Sequence, residues 1–302
     1  MPQGLAPYAA KILMKVLYAA RYARFDLLRA VCALAQQVTK WTRECDLKLY
    51  RLMSYINCSL DVRMTGWIGD APGDLQVHLF ADADFAGCAK TSRSTSGAHM
   101  SLMGPSSIWP ISGQSKKQTC VSHSTPEAEI VAADHALRSY GVPALDLWSL
   151  ALGNPKLVIQ FHEDNATAVI VLKSGYSGAM RHIERNHGIR LRSLAERFAS
   201  GDFNMFYERS CLMAADIYTK AFSGAPEWQT VMKLVNHLVP AIFWSGPDAG
   251  HKVSMPCEHK GGVHFSYWTS NPWLSQPEDR GLATSSPAAG PDEWSKAFHG
   301  TA

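Results

Sequence analysis

The sequence predicts an α/β protein with a mixed five-stranded sheet that is flanked by helices and preceded by an α-helical segment. Three observations predict it. Apolar residues recur every three or four positions up to about residue 58, and the repeat shifts towards two after a stretch rich in Gly, Pro and Asp. Beyond residue 120, strand-like and helix-like patterns alternate. Such alternation is typical of a sheet with helices on its faces.

The composition is that of a folded chain with a modest positive charge. The chain has 302 residues, 46% of them hydrophobic, and a net charge of +3, which permits a polyanionic partner without requiring one. Its seven cysteines are scattered and form no C-x-x-C pair, a pattern typical of reduced thiols in an intracellular protein. No run approaches the roughly 20 apolar residues of a membrane span, so no membrane association is expected.

Residues 1–70 are expected to form two or three helices. The first 25 residues contain no acid and four basic side chains, Lys11, Lys15, Arg21 and Arg24, which is also a feature of amphipathic transit peptides. The apolar period continues past Asp26 without a cleavage-like break. A helix packed on the domain with its basic face outward is therefore the preferred interpretation.

Residues 71–243 carry the predicted sheet. The runs "LQVHLFADA", "SGAHMSLMG" and "SIWPISG" are rich in strand-forming residues and separated by turn residues, which predicts three sequential antiparallel strands. Pro110 in the third run predicts an edge strand or a bulge. A long helix follows, for which Thr125 is the expected N-cap and Pro126 the first helical residue.

The remainder of this region predicts two further strands and two helices. "KLVIQFHED" is a continuous apolar strand, "NATAVIVLKSG" a short helix ended by Gly175, "DFNMFYERS" an alternating strand, and "LMAADIYTKAF" another helix. In residues 244–302 the periodicity disappears and Pro, Gly and Ser become frequent. This segment is predicted to be a disordered tail.

Acidic side chains recur where the predicted elements begin or end: Asp82, Asp84, Glu127, Glu129, Glu163, Asp164 and Asp216. If the first and fourth strands are neighbours, their carboxylates emerge at one edge of the sheet, where open α/β sheets form ligand sites. Such a group is suited to Mg²⁺ or Mn²⁺, and two ions about 3.5–4 Å apart can promote an in-line phosphoryl displacement. For any single acid, a solvated end of an element is the competing interpretation.

A further indication of function comes from six segments that follow one another between residues 80 and 222. They are "FADADFAG", "TSRSTSGAHMSLMG", "SKKQTCVSHSTPEAEIVAADHAL", "HEDNATAVIVL", "MRHIERNHGIRLRSL" and "MAADIYTKAF". Together they resemble the ribonuclease H domain of copia-type retrotransposon Pol polyproteins. The resemblance extends upstream, where "LYAARYARFDLLRAVCALAQQVTKW" and "LKLYRLMSYI" are similar to the helical segment that joins reverse transcriptase to ribonuclease H.

The resemblance implies a ribonuclease H fold and a metal site of four carboxylates. Its catalytic and metal-ligating residues fall on Asp82, Glu129, Asp164 and Asp216. The implied cofactor is Mg²⁺, as two ions, with Mn²⁺ as an alternative. Asp84 and Glu127 receive supporting roles, the first beside the ligands and the second at the helix N-terminus, with ordinary capping and surface charge as the competing interpretation.

The implied activity is hydrolysis of the RNA strand of RNA–DNA hybrids during reverse transcription, leaving a 3′-hydroxyl and a 5′-phosphate. The implied partners are the hybrid duplex and the reverse transcriptase part of the same polyprotein, in a cytoplasmic particle or the nucleus. Six basic residues are candidates for phosphate contacts: Arg93, Lys116, Lys117, Arg181, Arg185 and Arg190.

Two features leave alternatives open. His182 and His187 lie between the third and fourth acidic motifs, where a histidine can shuttle protons or assist product release, or can simply be packed.

The chain has no Y-x-D-D motif, so it lacks a polymerase active site of that kind. The alternative function is therefore a degenerate transposon remnant that acts at most as a nucleic-acid-binding module.

Overall fold

The computed structural model describes residues 4–154 and 156–238, so the tail predicted over residues 244–302 lies outside the described residues. The helices are α1 (Ala6–Tyr22), α2 (Leu28–Ala35), α3 (Arg43–Cys58), α4 (Thr125–Ala136), α5 (Val142–Leu152), α6 (Ala166–Ser174), α7 (Ile183–His187), α8 (Leu191–Ala199) and α9 (Ala225–Leu234). Within the described ranges, none of them is both long and apolar enough to cross a membrane.

The strands form two sheets. They are β1 (Arg63–Met64), β2 (Gln76–Asp84), β3 (Thr95–Gly104), β4 (Ser107–Lys117), β5 (Ile159–Glu163), β6 (Phe203–Tyr207) and β7 (His237–Leu238). The main sheet has the order β4-β3-β2-β5-β6, and β1 pairs with β7 in a small second sheet. Strands β2, β3 and β4 are antiparallel, whereas β5 and β6 run parallel to β2. The predicted fold class, a mixed five-stranded sheet preceded by helices, is confirmed.

Both faces of the main sheet are covered. On one face, Phe80, Met103 and Ile108 share a hydrophobic core with the three N-terminal helices and α9. On the other face, apolar side chains of β2 and β5 pack against helices α4, α6 and α8. Helix α1 buries Leu13 in the first core, the arrangement expected of a packed helix. Among the described residues, both faces of the sheet are thus packed, which leaves its edges and ends for ligands.

The edge strand β4 contains the irregularity that Pro110 predicts. Met100 of β3 pairs with Ser112, but the next residue, Ser101, pairs with Pro110, so Ile111 has no partner across the strands. β4 also lies at the end of the strand order. An edge position and a bulge both avoid the hydrogen bond that proline cannot donate.

The predicted long helix is interrupted and begins one residue earlier than expected. A π-helical turn over Leu137–Gly141 separates α4 from α5, just before Pro143, which lacks the N–H group needed to continue a regular helix. The prediction that Thr125 is the N-cap is wrong. Ser124 has an extended backbone, and its side chain accepts the hydrogen bond from the backbone N–H of Glu127.

The helix predicted in "LMAADIYTKAF" is wrong in type. The chain instead forms two short 3₁₀ turns, Ser210–Leu212 and Ala214–Tyr218. Every residue of the second turn is buried. Because every residue of this turn is buried, the segment has no solvent-exposed face of the kind that an amphipathic helix presents.

Gly97 of β3 allows the turn Ala214–Tyr218 to lie against the sheet. A Cβ atom at Gly97 would lie 2.8 Å from the carbonyl oxygen of Ala215 and 2.8 Å from Cγ2 of Thr219. Gly97 pairs directly with Asp82 across the two strands. The missing side chain therefore brings Asp216, which belongs to this turn, close to the end of β2.

Replacing Gly97 with alanine should destabilise the protein by about 1–3 kcal/mol, because the added methyl group overpacks the contact with the turn. The free energy of unfolding can be measured by urea titration. Gly73→Ala is the matched control, since no atom lies within 4 Å of a Cβ placed there. A Gly97→Ala variant as stable as the Gly73→Ala variant would contradict the close approach of the turn.

Candidate metal centre

Three of the four predicted ligands converge at the carboxyl end of the central strands. β2 pairs in parallel with β5, with Phe80 opposite His162, so Asp82 and Asp164 both lie two residues beyond this pair at the same sheet edge. Glu129 reaches the same edge from the second turn of α4. One carboxylate oxygen from each of Asp82, Glu129 and Asp164 lies within 4.8 Å of the others. We call these three residues the triad.

The triad fits a hard divalent cation. Asp82 is 1% exposed and Glu129 is 3% exposed. Among the described residues, Oε2 of Glu129 and Oε2 of the neighbouring Glu163 are buried without a hydrogen-bond partner. Buried carboxylate oxygens that lack donors are costly unless a cation neutralises them. Oxygen-only donors of this kind match the preference of Mg²⁺ and Mn²⁺.

Burial and mutual repulsion change the proton affinity of these groups. Burial, followed by the charges of Glu163, Asp82 and Asp164, raises the pKa of Glu129 to about 11. Burial likewise raises the pKa of Glu163 well above its ordinary value. Without a bound cation, Glu129 therefore retains its proton at neutral pH. Cation binding would displace this proton.

Asp216, the fourth predicted ligand, is joined to the triad through a lysine. Nζ of Lys220 donates to Oδ1 of Asp216 at 2.7 Å and lies 3.4 Å from Oδ1 of Asp82 and 3.8 Å from Oδ2 of Asp164. Asp216 is not part of the triad's 4.8 Å group. Burial and the charge of Asp82 raise the pKa of Asp216 to about 8 despite Lys220.

Lys220 is the main feature of this centre that sequence reasoning missed. Burial opposes its charge, but Asp82 and Asp216 outweigh burial and raise the pKa of Lys220 above its ordinary value. The signal was present in the sequence, because Lys220 follows Asp216 by four residues, a spacing that brings opposite charges together on a helical turn.

Two hydroxyl groups from the 3₁₀ region orient the carboxylates. Ser210 begins the first turn, and Thr219 directly follows the second. Ser210 Oγ donates to Oδ2 of Asp164 at 2.7 Å. Thr219 Oγ1 donates to Oδ2 of Asp82. Each hydroxyl occupies one oxygen of its carboxylate and so restricts which oxygen is left for a cation.

Asp84 does not join the triad. The backbone N–H of Thr95 donates to its Oδ1, which ties Asp84 to the start of β3. Burial raises the pKa of Asp84 to about 6, against the lowering effects of Thr95 and the Arg29 charge. Its observed role is to hold the turn between β2 and β3, close to the triad.

Glu127 is a second buried carboxylate, with partners of its own. It is 1% exposed and accepts hydrogen bonds from Nε2 of His182 at 3.0 Å, Nε2 of His187 at 3.1 Å and the backbone N–H of His123 at 3.0 Å. Burial opposes ionisation, but these donors outweigh it and hold the pKa of Glu127 below its usual range. Both histidines thus attach the α7 region to the start of α4, the helix that carries Glu129.

Basic side chains lie at the same sheet edge as the carboxylates. Lys117 of β4 pairs with Thr95 of β3, which pairs with Asp84 of β2. The end of β4 is therefore two strands, about 10 Å, from the end of β2. An open cavity of about 450 Å³ lies there, lined by residues that include Arg93, Lys116 and Lys117. Arg181, Arg185 and Arg190 are exposed.

Comparison with known proteins adds no assignment. No protein-family model matches the chain, and a search of curated proteins finds no match either. Membership of a family is therefore a proposal, which rests on the ordered sequence segments, the fold and the geometry of the triad.

The stability of the metal-free protein should fall between about pH 7 and about pH 9, by up to about 1.4 kcal/mol per pH unit for each retained proton. The reason is that Glu129, with a pKa of about 11, stays protonated in the folded state and is ionised in the unfolded state. Urea unfolding in the presence of a chelator measures this slope. Glu129→Gln should make it shallower, because glutamine does not titrate.

Glu127→Gln is the matched control. The lowered pKa of Glu127 leaves this group ionised in both states over the same pH range, so its removal should not change the slope. Equal slopes for the parent and Glu129→Gln would contradict the protonated state of the centre.

Proposed function

We propose that the chain is a metal-dependent endonuclease, a ribonuclease H of a copia-type retrotransposon Pol polyprotein, that hydrolyses the RNA strand of RNA–DNA hybrids. The observation that carries this proposal is the convergence of Asp82, Glu129 and Asp164 from three separate segments at one edge of the sheet. The order of the six sequence segments and the mixed five-stranded sheet support it.

The proposed cofactor is Mg²⁺, with Mn²⁺ as an alternative. The resemblance implies two ions, of which the triad would hold one, with Asp216 nearby. When bound, such an ion supplies Lewis-acid activation of water and neutralises charge that develops at the phosphate. The chain's own part is to position the ligand oxygens: Thr219 fixes Asp82, and Ser210 fixes Asp164.

The basic cavity at the end of β4 supports a polyanionic substrate. A duplex whose scissile phosphate lay at the triad would extend across neighbouring strands. The end of β4, with Lys116 and Lys117, is two strands, about 10 Å, from the end of β2, and Arg93 lines the same cavity. Contacts to phosphates give affinity, and contacts to 2′-hydroxyls distinguish RNA from DNA. The proposed partners are the hybrid and the reverse transcriptase part of the polyprotein, in a cytoplasmic particle or the nucleus.

Cleavage of a labelled RNA–DNA hybrid in Mg²⁺ tests the proposal. The parent should cut the RNA strand and leave 3′-hydroxyl ends, and Asp82→Asn and Asp164→Asn should each reduce the rate by about 100-fold or more, because both remove a ligand of the cation. Asp146→Asn, a change at an exposed acid on α5, should keep the parental rate.

The other results of this assay discriminate between hypotheses. Cleavage that survives both substitutions would contradict the assignment of the triad. Hybrid binding without cleavage by the parent would favour the remnant, a nucleic-acid-binding module without activity. Equal cutting of RNA–DNA and DNA–DNA duplexes would point to a different nuclease.

A further inference from the structure

The ammonium group of Lys220 lies in the middle of the carboxylates. It is 2.7 Å from Oδ1 of Asp216, 3.4 Å from Oδ1 of Asp82 and 3.8 Å from Oδ2 of Asp164. A lysine with an ordinary pKa of about 10.4 is charged at neutral pH. Lys220 therefore already supplies one positive charge at the point where three carboxylates meet.

Lys220 divides the centre into two unequal parts. On one side, the triad brings three carboxylate oxygens within 4.8 Å of one another. On the other side, Asp216 contacts Lys220 and does not belong to that group. Lys220 also pairs with Asp82 and Asp164 of the triad, but within the described residues it forms no ion pair with Glu129, which is the triad member beyond 4.0 Å from the ammonium.

A second divalent ion on the Asp216 side would crowd the ammonium. Mg²⁺ binds carboxylate oxygens at about 2.0–2.1 Å, so an ion bound to Oδ1 of Asp216 would lie less than about 5 Å from Nζ. A doubly charged ion and an ammonium at that separation repel each other. The competition between the two cations is strongest at Asp216, because the ammonium lies 2.7 Å from that carboxylate, against 3.4 Å and 3.8 Å from those of Asp82 and Asp164.

The backbone around Lys220 holds it in this position. The N–H of Lys220 donates to the carbonyl of Asp216 at 2.8 Å, and the preceding Thr219 is hydrogen-bonded to Asp82. The turn that carries Asp216 is buried. The side chain of Lys220 is 37% exposed, so it enters the centre from the rim and can be replaced without opening the core.

We propose that the centre takes one divalent cation, at Asp82, Glu129 and Asp164, and that the ammonium of Lys220 occupies the place of a second one beside Asp216. Together, one divalent ion and one ammonium offset most of the charge of the four carboxylates. This inference rests on the proposed function, because it assumes that the triad binds a metal. It replaces the two ions implied by the resemblance with one ion and a lysine.

The test is a count of bound Mn²⁺ on the full 302-residue chain at neutral pH, by equilibrium dialysis with electron paramagnetic resonance of the bound ion. Asp82→Asn sets the background of unrelated surface sites. Above that background, the parent should bind one Mn²⁺, and Lys220→Gln should bind two, with the spectral broadening of a close ion pair. Lys220→Arg keeps the positive charge and should bind one.

A matched control separates this effect from a general change of charge. Lys173→Gln removes an exposed lysine at the end of α6 and should leave the count at one. Thermal melting of each variant shows whether it folds like the parent. Lys220→Arg should melt close to the parent, whereas Lys220→Gln should fold but melt lower without Mn²⁺, because it removes a positive charge that lies among three carboxylates.

The outcomes distinguish this inference from the proposed function. Two ions on the parent, or one ion on Lys220→Gln, would overturn the role of Lys220 and leave the metal-dependent nuclease intact. No Mn²⁺ on the parent above the Asp82→Asn background would overturn the metal centre itself, and this inference with it.

Discussion

Five carboxyl groups, those of Asp82, Glu129, Glu163, Asp164 and Asp216, lie close together at one end of the sheet and largely out of water. In a medium of low dielectric constant, each ionised group opposes the ionisation of its neighbours. The protein can keep them together only if some retain protons or if cations lie between them. Both are present: burial, reinforced by the neighbouring carboxylates, raises the pKa values of Glu129 and Glu163, and Lys220 lies among the acids.

The surrounding fold supplies the positions that this crowding requires. The parallel pairing of β2 with β5 sets Asp82 beside Asp164, and the absence of a side chain at Gly97 admits the turn that carries Asp216. Helix α4 brings Glu129. Ser124 caps the first turn of this helix, and His182 and His187 donate to Glu127 in the same turn. Glu127, whose partners lie outside the triad, therefore helps to position Glu129.

Much of this arrangement could be predicted from sequence because strand pattern and acid position are local properties. The period-two runs gave the strands, and the acids at their ends indicated the common edge. The type of the last turn could not be predicted, since its burial on all sides comes from packing against β3. Likewise, no local pattern indicated that His182 and His187 would meet Glu127, which is 55 and 60 residues away. The four-residue spacing between Asp216 and Lys220 predicts their ion pair, but the position of Lys220 among three carboxylates depends on the strand order.

The claim that the triad is a cation site is tested most directly by anomalous diffraction from crystals of the protein soaked in Mn²⁺. The account predicts one strong peak within coordination distance of Asp82, Glu129 and Asp164, with Lys220 still beside Asp216. The absence of a peak at the triad, with these side chains ordered, would contradict it.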